Sequence, residues 1–449
     1  RYTGFLSDVL NRCRGRIPPQ DWAVLEGHVH QLQRRIETSL TNVRAFFSIL
    51  GSFLREHSSK RGDYDQRLRL TSGLRIQPAW SDVEITWDNL SLQLHPAIED
   101  LEELSSGLSE FEGYDSPEPP SPTAGSLEGL AQDCAGYHAR LREMRAQINA
   151  CIAEPSASSI YWASVSSRDE RVSLHAAPFH VGDLVQTHLL EPKKSVVLTS
   201  ATLTTDSSFD FMRDRLSAWE VDELAVGSPF DFQSSTLLYL PTDIPEPSQA
   251  YYQKRVEQAL VSLCRATEGR TLVLFTSYYQ LRATSRAITR PLADAGISVF
   301  QQGAGTSRVQ LLENFRNIPR AVLMGTRSFW EGVDVVGPAL SVLVIARLPF
   351  SVPDDPVFAA RSESFENPFA EYAIPETILR FRQGFGRLIR TKTDRGAVVI
   401  LDKRVLTKSY GPMFLNSLPE CTLRRATLSE LPSAVKRWLK MVPGQDVPF

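Results

Sequence analysis

Residues 383–390 read Gln-Gly-Phe-Gly-Arg-Leu-Ile-Arg. Gln383, Arg387 and Arg390 stand at i, i+4 and i+7, so a helix through them carries all three on one stripe. Two guanidinium forks beside an amide suit the oxygens of a phosphate chain. Pro375-Glu376 reads as the start of that helix, with proline in the first turn and an acid at the positive end of the dipole. Ile378, Leu379, Phe385, Leu388 and Ile389 keep an apolar face at roughly helical spacing. Gly384 and Gly386 inside a helix cost about 1 kcal/mol each relative to alanine. Something packed close by must need the missing bulk. The plain alternative is a basic, solvated helix face.

Polar residues also cluster at the ends of apolar runs. Residues 195–203 read Ser-Val-Val-Leu-Thr-Ser-Ala-Thr-Leu, a strand pattern ending in the hydroxyls of Thr199, Ser200 and Thr202. Residues 271–277, Thr-Leu-Val-Leu-Phe-Thr-Ser, repeat the design and end in Thr276 and Ser277. Ala321-Val322-Leu323-Met324 leads into Gly-Thr-Arg-Ser-Phe-Trp-Glu-Gly-Val-Asp-Val-Val-Gly at 325–337, which holds Thr326, Glu331, Gly332 and Asp334. Hydroxyls at strand ends contact phosphates or cap their own turn. Phe329 and Trp330 stack on bases or, more simply, pack in the core. Asp334 is a turn residue unless a ligand engages it.

These segments together, in order, resemble motifs III, IV, V and VI of superfamily 2 helicases. Glu331-Gly332-Val333-Asp334 with Gln383, Gly386-Arg387 and Arg390 looks like the DinG branch of the DinG/XPD-like DNA helicases, over about residues 160–430. The resemblance implies an ATP-dependent DNA helicase moving 5′ to 3′ on single-stranded DNA, with ATP and Mg2+ as cofactors. It implies that Arg387 and Arg390 reach the γ-phosphate across a cleft between two motor domains, with Gln383 sensing it. Glu331, Gly332, Asp334 and Gly386 are then the nucleotide-contacting set. Thr276, Ser277 and Thr326 are then strand contacts. Thr199, Ser200 and Thr202 belong to motif III, which couples hydrolysis to strand movement.

Composition agrees with an ordinary soluble protein. The 449 residues suggest about three domains. Hydrophobic content is 42% and charged content 22%. No apolar stretch reaches the roughly 18 residues that span a bilayer, no secretory signal is visible, and the chain opens at Arg1, so a cytoplasmic piece of a longer protein is expected. The net charge of −3 excludes a globally basic nucleic-acid binder but not a local groove. Cys13, Cys134, Cys151, Cys264 and Cys421 form no CxxC pair, so neither a zinc ribbon nor an iron–sulfur cluster is expected in this chain. The cluster that many members of the resembled family carry would lie in a part absent here. His175 and His180 lack a third ligand nearby, and no metal site is expected.

The supporting elements are legible as periodicities. Leu25, Val29, Leu32, Ile36, Leu40, Val43, Leu50 and Leu54 mark one long helix. Trp87, Leu90, Leu94, Ile98, Leu101, Leu104 and Leu108 mark a second, and Leu127, Leu130, Cys134, Tyr137, Leu141, Met144, Ile148 and Cys151 a third. Narrow stripes of this kind predict long antiparallel helices, with Glu112–Ser126, rich in Pro, Ser and Gly, as a tip loop. The resemblance puts an arch domain here. Residues 81–119 hold eleven acids and no Lys or Arg, and would repel a polyanion.

Beyond Ile160, strands are expected at 160–165, 171–174, 195–199, 271–276, 296–300, 321–325, 342–347 and 397–401, with helices between most of them. That pattern predicts a parallel, doubly covered sheet with ligands beyond the strands' carboxyl ends, where Thr276, Ser277, Gly325, Thr326, Arg347 and Asp402 fall. The fold expected is α/β: a RecA-like parallel sheet, the second motor domain, preceded by an all-α arch-like domain. Expected boundaries are 1–158 for the arch, 159–232 for a return segment with the motif III strand of the first motor domain, and 233–449 for the second motor domain.

No Gly-Lys dipeptide occurs, and no acidic pair resembling Asp-Glu-Ala-His. The P-loop and magnesium site are therefore expected in a missing amino-terminal motor domain, which would be this chain's partner, and the piece alone is expected to be inactive. Two alternatives stand beside this reading: a non-catalytic DNA- or protein-binding module, or part of a DinG-like exonuclease. Residues 380–404 hold Arg380, Arg382, Arg387, Arg390, Lys392, Arg395, Lys403 and Arg404 against Asp394 and Asp402, a cluster expected to face nucleotide and DNA.

Overall fold

Three long helices, Pro19–His57, Trp80–Glu110 and Leu127–Ile152, dominate the first 158 residues. The computed structural model describes residues 2–58, 65–111, 127–205, 208–331, 335 and 337–440. The expected tip loop Glu112–Ser126, and Gly332 and Asp334, lie outside the described residues. The chain divides into two compact units: Arg1–His180 with Pro353–Arg361, and Val181–Val352 with Ser362–Phe449.

In the first unit the helices run antiparallel. Leu25 to Ile36 pack with Ala97 to Leu108 and Leu130 to Leu141 in one cluster. Phe46 to Leu54 pack with Trp80 to Leu94 and Cys151 in another. All seven residues of the stripe from Trp87 to Leu108 are buried. Leu40 is not: it is exposed, and Ser39 and Phe46 take the inward positions. A helix of 3.6 residues per turn drifts away from a fixed three-and-four spacing over 39 residues, so the inward face shifts by one position. Met144 is likewise exposed.

A three-stranded antiparallel sheet completes this unit: β1 (Gln66–Arg69), β2 (Ser159–Val165) and β3 (Val172–Pro178). The unit therefore ends after His180, past the boundary expected near residue 158. The reason is packing: Tyr161, Ala163 and Val165 bury their side chains in the same cluster as Trp80 and Trp87. Residues 353–361 belong here too. Arg361 donates to the carbonyls of Phe179 and Pro178, each at 3.0 Å, and Asp355 pairs with Arg67 at 3.2 Å.

On this sheet His175 stacks on Trp162, with ring centroids 4.9 Å apart, and bonds to the Ser164 hydroxyl at 2.8 Å. Burial first, and the Arg67 charge second, push its pKa below the ordinary 6.5. The unfolded chain then binds the proton more readily. The stability this neutral histidine contributes is complete above pH 6.5 and is lost as pH falls through the folded-state value. Tryptophan-fluorescence melts should show a lower midpoint at pH 5.5 than at pH 7.5, and His175→Gln should flatten that difference. An unchanged difference in the variant would assign the acid sensitivity elsewhere.

The second unit is a seven-stranded, wholly parallel sheet in the order β10-β4-β9-β8-β5-β7-β6. Its strands are β4 (Thr236–Pro241), β5 (Thr271–Leu274), β6 (Ser298–Gln301), β7 (Ala321–Gly325), β8 (Val342–Ile345), β9 (Gly396–Ile400) and β10 (Thr422–Ala426). Side chains alternate between the two faces. Val273, Val322, Val344 and Val399 pack under the helices Tyr252–Ala266, Tyr278–Ala293 and Leu431–Lys440. Leu272, Leu323, Leu343 and Ile400 pack under the helix Ile374–Phe385. Both faces are covered, which is why the strands read as unbroken apolar runs.

The strand expected at 195–199 does not form. Residues 195–200 carry no regular structure, with Val197 86% exposed. A strand requires a hydrogen-bonding neighbour, and among the described residues none pairs with this run. No helix among the described residues is long and apolar enough to cross a membrane.

Candidate phosphate-binding site

Two places in the second unit gather the candidate residues. The first surrounds the helix Ile374–Phe385. Pro375 sits in its first turn with Glu376, as its sequence predicts. The helix stops at Phe385, however, with Gly386 as its cap. The amides of Arg387 and Leu388 reach back three residues, to Gly384 and Phe385, in a tightened turn that then leaves the helix. Gln383 alone of the expected stripe is helical; Arg387 and Arg390 lie in the turn leading to β9. Two glycines in three residues weaken helix continuation, which accounts for the early end.

The turn nonetheless returns Arg387 to the expected neighbourhood. Its Nε donates to the Gln383 carbonyl at 3.1 Å and to the Trp330 carbonyl at 3.0 Å. It thus bridges the 383–390 segment and the corner that opens the Glu331 loop. Arg390 is half-buried. Its backbone amide and that of Thr391 both donate to Asp394 Oδ2 at 2.8 Å, which fixes the turn. Glu331 is exposed, and its carbonyl accepts from Arg308 at 2.9 Å.

One of the two glycines meets the expected demand. A Cβ on Gly384 would sit 2.5 Å from Trp330 Cε3 and 3.3 Å from Leu274 Cδ1. A Cβ on Gly386 would meet nothing nearer than the Arg382 carbonyl at 3.4 Å. Trp330 and Phe329 are core residues, 4% and 0% exposed, and Trp330 donates its indole N–H to the Phe275 carbonyl. Gly384→Ala is therefore expected to destabilise the unit by about 1–2 kcal/mol, overpacking outweighing the gain in helix propensity. Gly386→Ala should stay within about 0.5 kcal/mol. Equal denaturant midpoints for the two variants would remove the steric account.

Arg382, on the same helix, holds the motif III-like segment. It donates to the carbonyl and hydroxyl of Thr204 and to the Ala201 carbonyl. Burial lowers its proton affinity. Thr199 and Ser200 are exposed, and the Ser200 hydroxyl lies 3.2 Å from both the amide and the hydroxyl of Thr202, a local turn. The basic cluster is therefore not all free for ligands. Arg380 pairs with Glu376 at 2.7 Å, Arg395 bonds the Trp438 carbonyl and lies over its ring, and Arg404 pairs with Asp402 at 2.6 Å.

The second place is the row of residues that follow the strands. Ser277 follows β5 and accepts from the Gln280 amide at 3.2 Å as the cap of the helix Tyr278–Ala293. Thr276 is half-buried beside it. Thr326 follows β7 and is buried; its amide and hydroxyl both donate to Gln302 Oε1, at 2.8 and 2.9 Å. Its hydroxyl proton is thereby committed to the protein. Gln302 escaped the sequence reading because strand 296–300 was expected to end one residue short of β6 (Ser298–Gln301). The rule that located Thr276 and Thr326 finds Gln302 once that boundary is corrected.

A family described as Helicase C-terminal domain matches residues 260–421. The chain is 35% identical over 286 residues to the 3′-5′ exonuclease DinG of Bacillus subtilis, covering 61% of this chain and 31% of that protein. It is 34% identical over 301 residues to the ATP-dependent DNA helicase YoaA of Haemophilus influenzae, covering 66% and 46%. It is 37% identical over 278 residues to the ATP-dependent helicase DinG of Mycobacterium tuberculosis, covering 59% and 41%. The chain spans between about a third and a half of the length of these curated relatives. The chain thus carries a helicase carboxyl-terminal domain and is similar, over that domain and the residues around it, to the DinG and YoaA proteins.

Proposed function

We propose that the chain works as the second motor half of an ATP-dependent DNA helicase that moves 5′ to 3′ on single strands. The observation that carries this is the Arg387 bridge. One guanidinium ties the Gln383–Arg390 segment to the Trp330 carbonyl, 57 residues away in sequence, beside the Glu331 loop. Arg387, a cation suited to a phosphate chain, is thereby held beside Gln383 and next to Glu331, with Arg390 three residues further along the same turn.

The donor set fits the phosphates of ATP and not the metal. Arg387, Arg390 and Gln383 offer cationic and amide hydrogens. Among the described residues no three His, Cys, Asp or Glu side chains converge as a metal site would require. In this reading Mg2+ and the P-loop amides come from a first motor domain. Bound ATP supplies the phosphoryl group whose loss drives movement. The role of Arg387 and Arg390 is to stabilise charge on that group, and Gln383 positions its neighbours. Glu331, Gly332, Asp334 and Gly386 remain the proposed nucleotide contacts. Strand contacts are proposed at the hydroxyl row of Thr276 and Ser277 and at Thr199, Ser200 and Thr202. Thr326 is assigned instead to holding Gln302, since its proton is taken.

The test is strand displacement by the full-length protein with ATP and Mg2+, on duplexes carrying a 5′ or a 3′ single-stranded tail. Displacement from the 5′-tailed duplex is expected. Displacement from the 3′ tail alone would reverse the direction. Shortening of strands without displacement would replace this reading by the exonuclease alternative.

A further inference from the structure

The amide of Gln302 has a fixed orientation. Thr326 N–H is a backbone group and can only donate, so the oxygen of the Gln302 amide must face it. That oxygen also accepts from the Thr326 hydroxyl at 2.9 Å. The nitrogen must then face the other way, and there it donates to the Tyr278 hydroxyl at 2.7 Å and to Ser328 Oγ at 2.9 Å. Both lone pairs of the oxygen and both hydrogens of the nitrogen are used.

The polarity propagates. Tyr278 and Ser328 each accept a hydrogen bond from Gln302, so neither can spend its own hydroxyl proton on that partner. Each proton is left to donate elsewhere. Tyr278 is 41% exposed and Ser328 half-buried, so those protons are offered at the surface of the rim. Tyr279, beside them, is 70% exposed and presents an aromatic face. Arg327, between Thr326 and Ser328, is exposed as well.

We propose that Gln302 is a positioning residue that sets the rim as a pair of hydroxyl donors, Tyr278 and Ser328, for an acceptor-only ligand: the phosphodiester oxygens of single-stranded nucleic acid. This rests on the strand-binding part of the reading above and specifies its atoms. It moves the contact from Thr326 to the two hydroxyls that Thr326 orients through the amide. Nothing in it needs a base-specific hydrogen bond, as suits a protein that tracks along a strand. The exposed ring of Tyr279 adds a stacking surface that any base satisfies.

The test is fluorescence anisotropy of a fluorescein-labelled oligothymidylate with the full chain and its variants. Tyr278→Phe and Ser328→Ala should each weaken binding about tenfold, the usual value of a hydrogen bond to a charged group. Neither removes a cation, so the slope of log affinity against log salt should stay unchanged. Gln302→Glu is the isosteric reversal. Its second oxygen accepts where the nitrogen donated, and turns both hydroxyl protons inward. In the wild-type background it should weaken binding more than in the Tyr278→Phe/Ser328→Ala background. In the latter its added charge persists but there is no proton left to turn. Equal effects in the two backgrounds would overturn the relay, as would wild-type affinity in Tyr278→Phe and Ser328→Ala. A wild-type chain that binds no oligonucleotide would overturn the strand-binding reading and this one with it. Unchanged thermal midpoints for Tyr278→Phe separate loss of contact from loss of fold.

Discussion

Arg390→Ala and Arg387→Ala, each made in the full-length protein, should lower DNA-stimulated ATP hydrolysis by about 10³–10⁵-fold, the range measured for arginines that stabilise phosphoryl transfer. The loss should fall on kcat, because the charge that the arginines meet develops as the phosphoryl group transfers. The two variants should differ in stability. Arg387 donates to two carbonyls, and losing those bonds should cost about 1–2 kcal/mol. Arg387→Lys separates the two roles. A lysine restores the charge but neither the Nε–H that reaches both carbonyls nor the planar fork beyond it, so turnover should stay low while charge is kept. A single-turnover assay with the folded variants decides the matter. Turnover within tenfold of wild type in Arg390→Ala would take that side chain out of the chemistry, and the same result in Arg387→Ala would reduce the bridge to Trp330 to a packing device.

Asp402→Ala should be the most destabilising substitution on the strand-end row. The carboxylate is fully buried. Oδ2 accepts the Leu348 amide at 2.9 Å, and both oxygens accept from Arg404, the shortest contact being 2.6 Å. Oδ1 also accepts the Arg404 amide at 3.1 Å. Alanine leaves a buried N–H with no acceptor and a largely buried guanidinium without its counter-charge. Breaking one side of such a pair costs about 3–5 kcal/mol. Asp402→Asn keeps an acceptor for the Leu348 amide and should lose about half as much. Guanidinium-chloride denaturation, read by fluorescence, measures both. A loss under about 1 kcal/mol in Asp402→Ala would show that Arg404 finds another partner or reaches water. Because this carboxylate joins the loop after β8 to the loop after β9, its loss should also loosen the rim.

What could be read in advance follows a physical line. Apolar periodicity located the long helices because burial is a property of spacing, and Trp87 to Leu108 all point inward. It located β5, β7, β8 and β9 because a strand covered on both faces has no polar alternation to hide it. It failed at Val196, Val197 and Leu198, where the residue types favour a strand and no neighbouring strand completes it. It also passed over β4, whose Thr-Leu-Leu-Tyr-Leu-Pro is buried throughout but closes on a proline, and β10, whose Thr-Leu-Arg-Arg-Ala reads as a polar loop, since an edge strand has little to bury. The 383–390 segment was legible as chemistry but not as shape. Types and spacing gave a helix stripe, whereas the backbone leaves the helix at Gly386 and Arg387 regains Gln383 through its carbonyl. The role of Gln302 was invisible because it depends on hydrogen-bond direction, which no spacing encodes. Of the eight cations in the basic cluster, Arg380, Arg382, Arg387, Arg395 and Arg404 donate to protein groups, a fact that composition cannot supply.

The short stretch Pro353–Arg361 carries a consequence for how this protein can be dissected or recombined. The helical unit is not one continuous length of chain: its cohesion draws on a segment that is encoded some 170 residues downstream. Excising the gene at codon 180 would strip the Phe179 and Pro178 carbonyls of their arginine and orphan Arg67 from Asp355. A protease nick after His180 should therefore leave two pieces that still travel together on a sizing column. Domain shuffling by a single splice would be penalised at the same seam, so the two units are bound to be inherited as a pair.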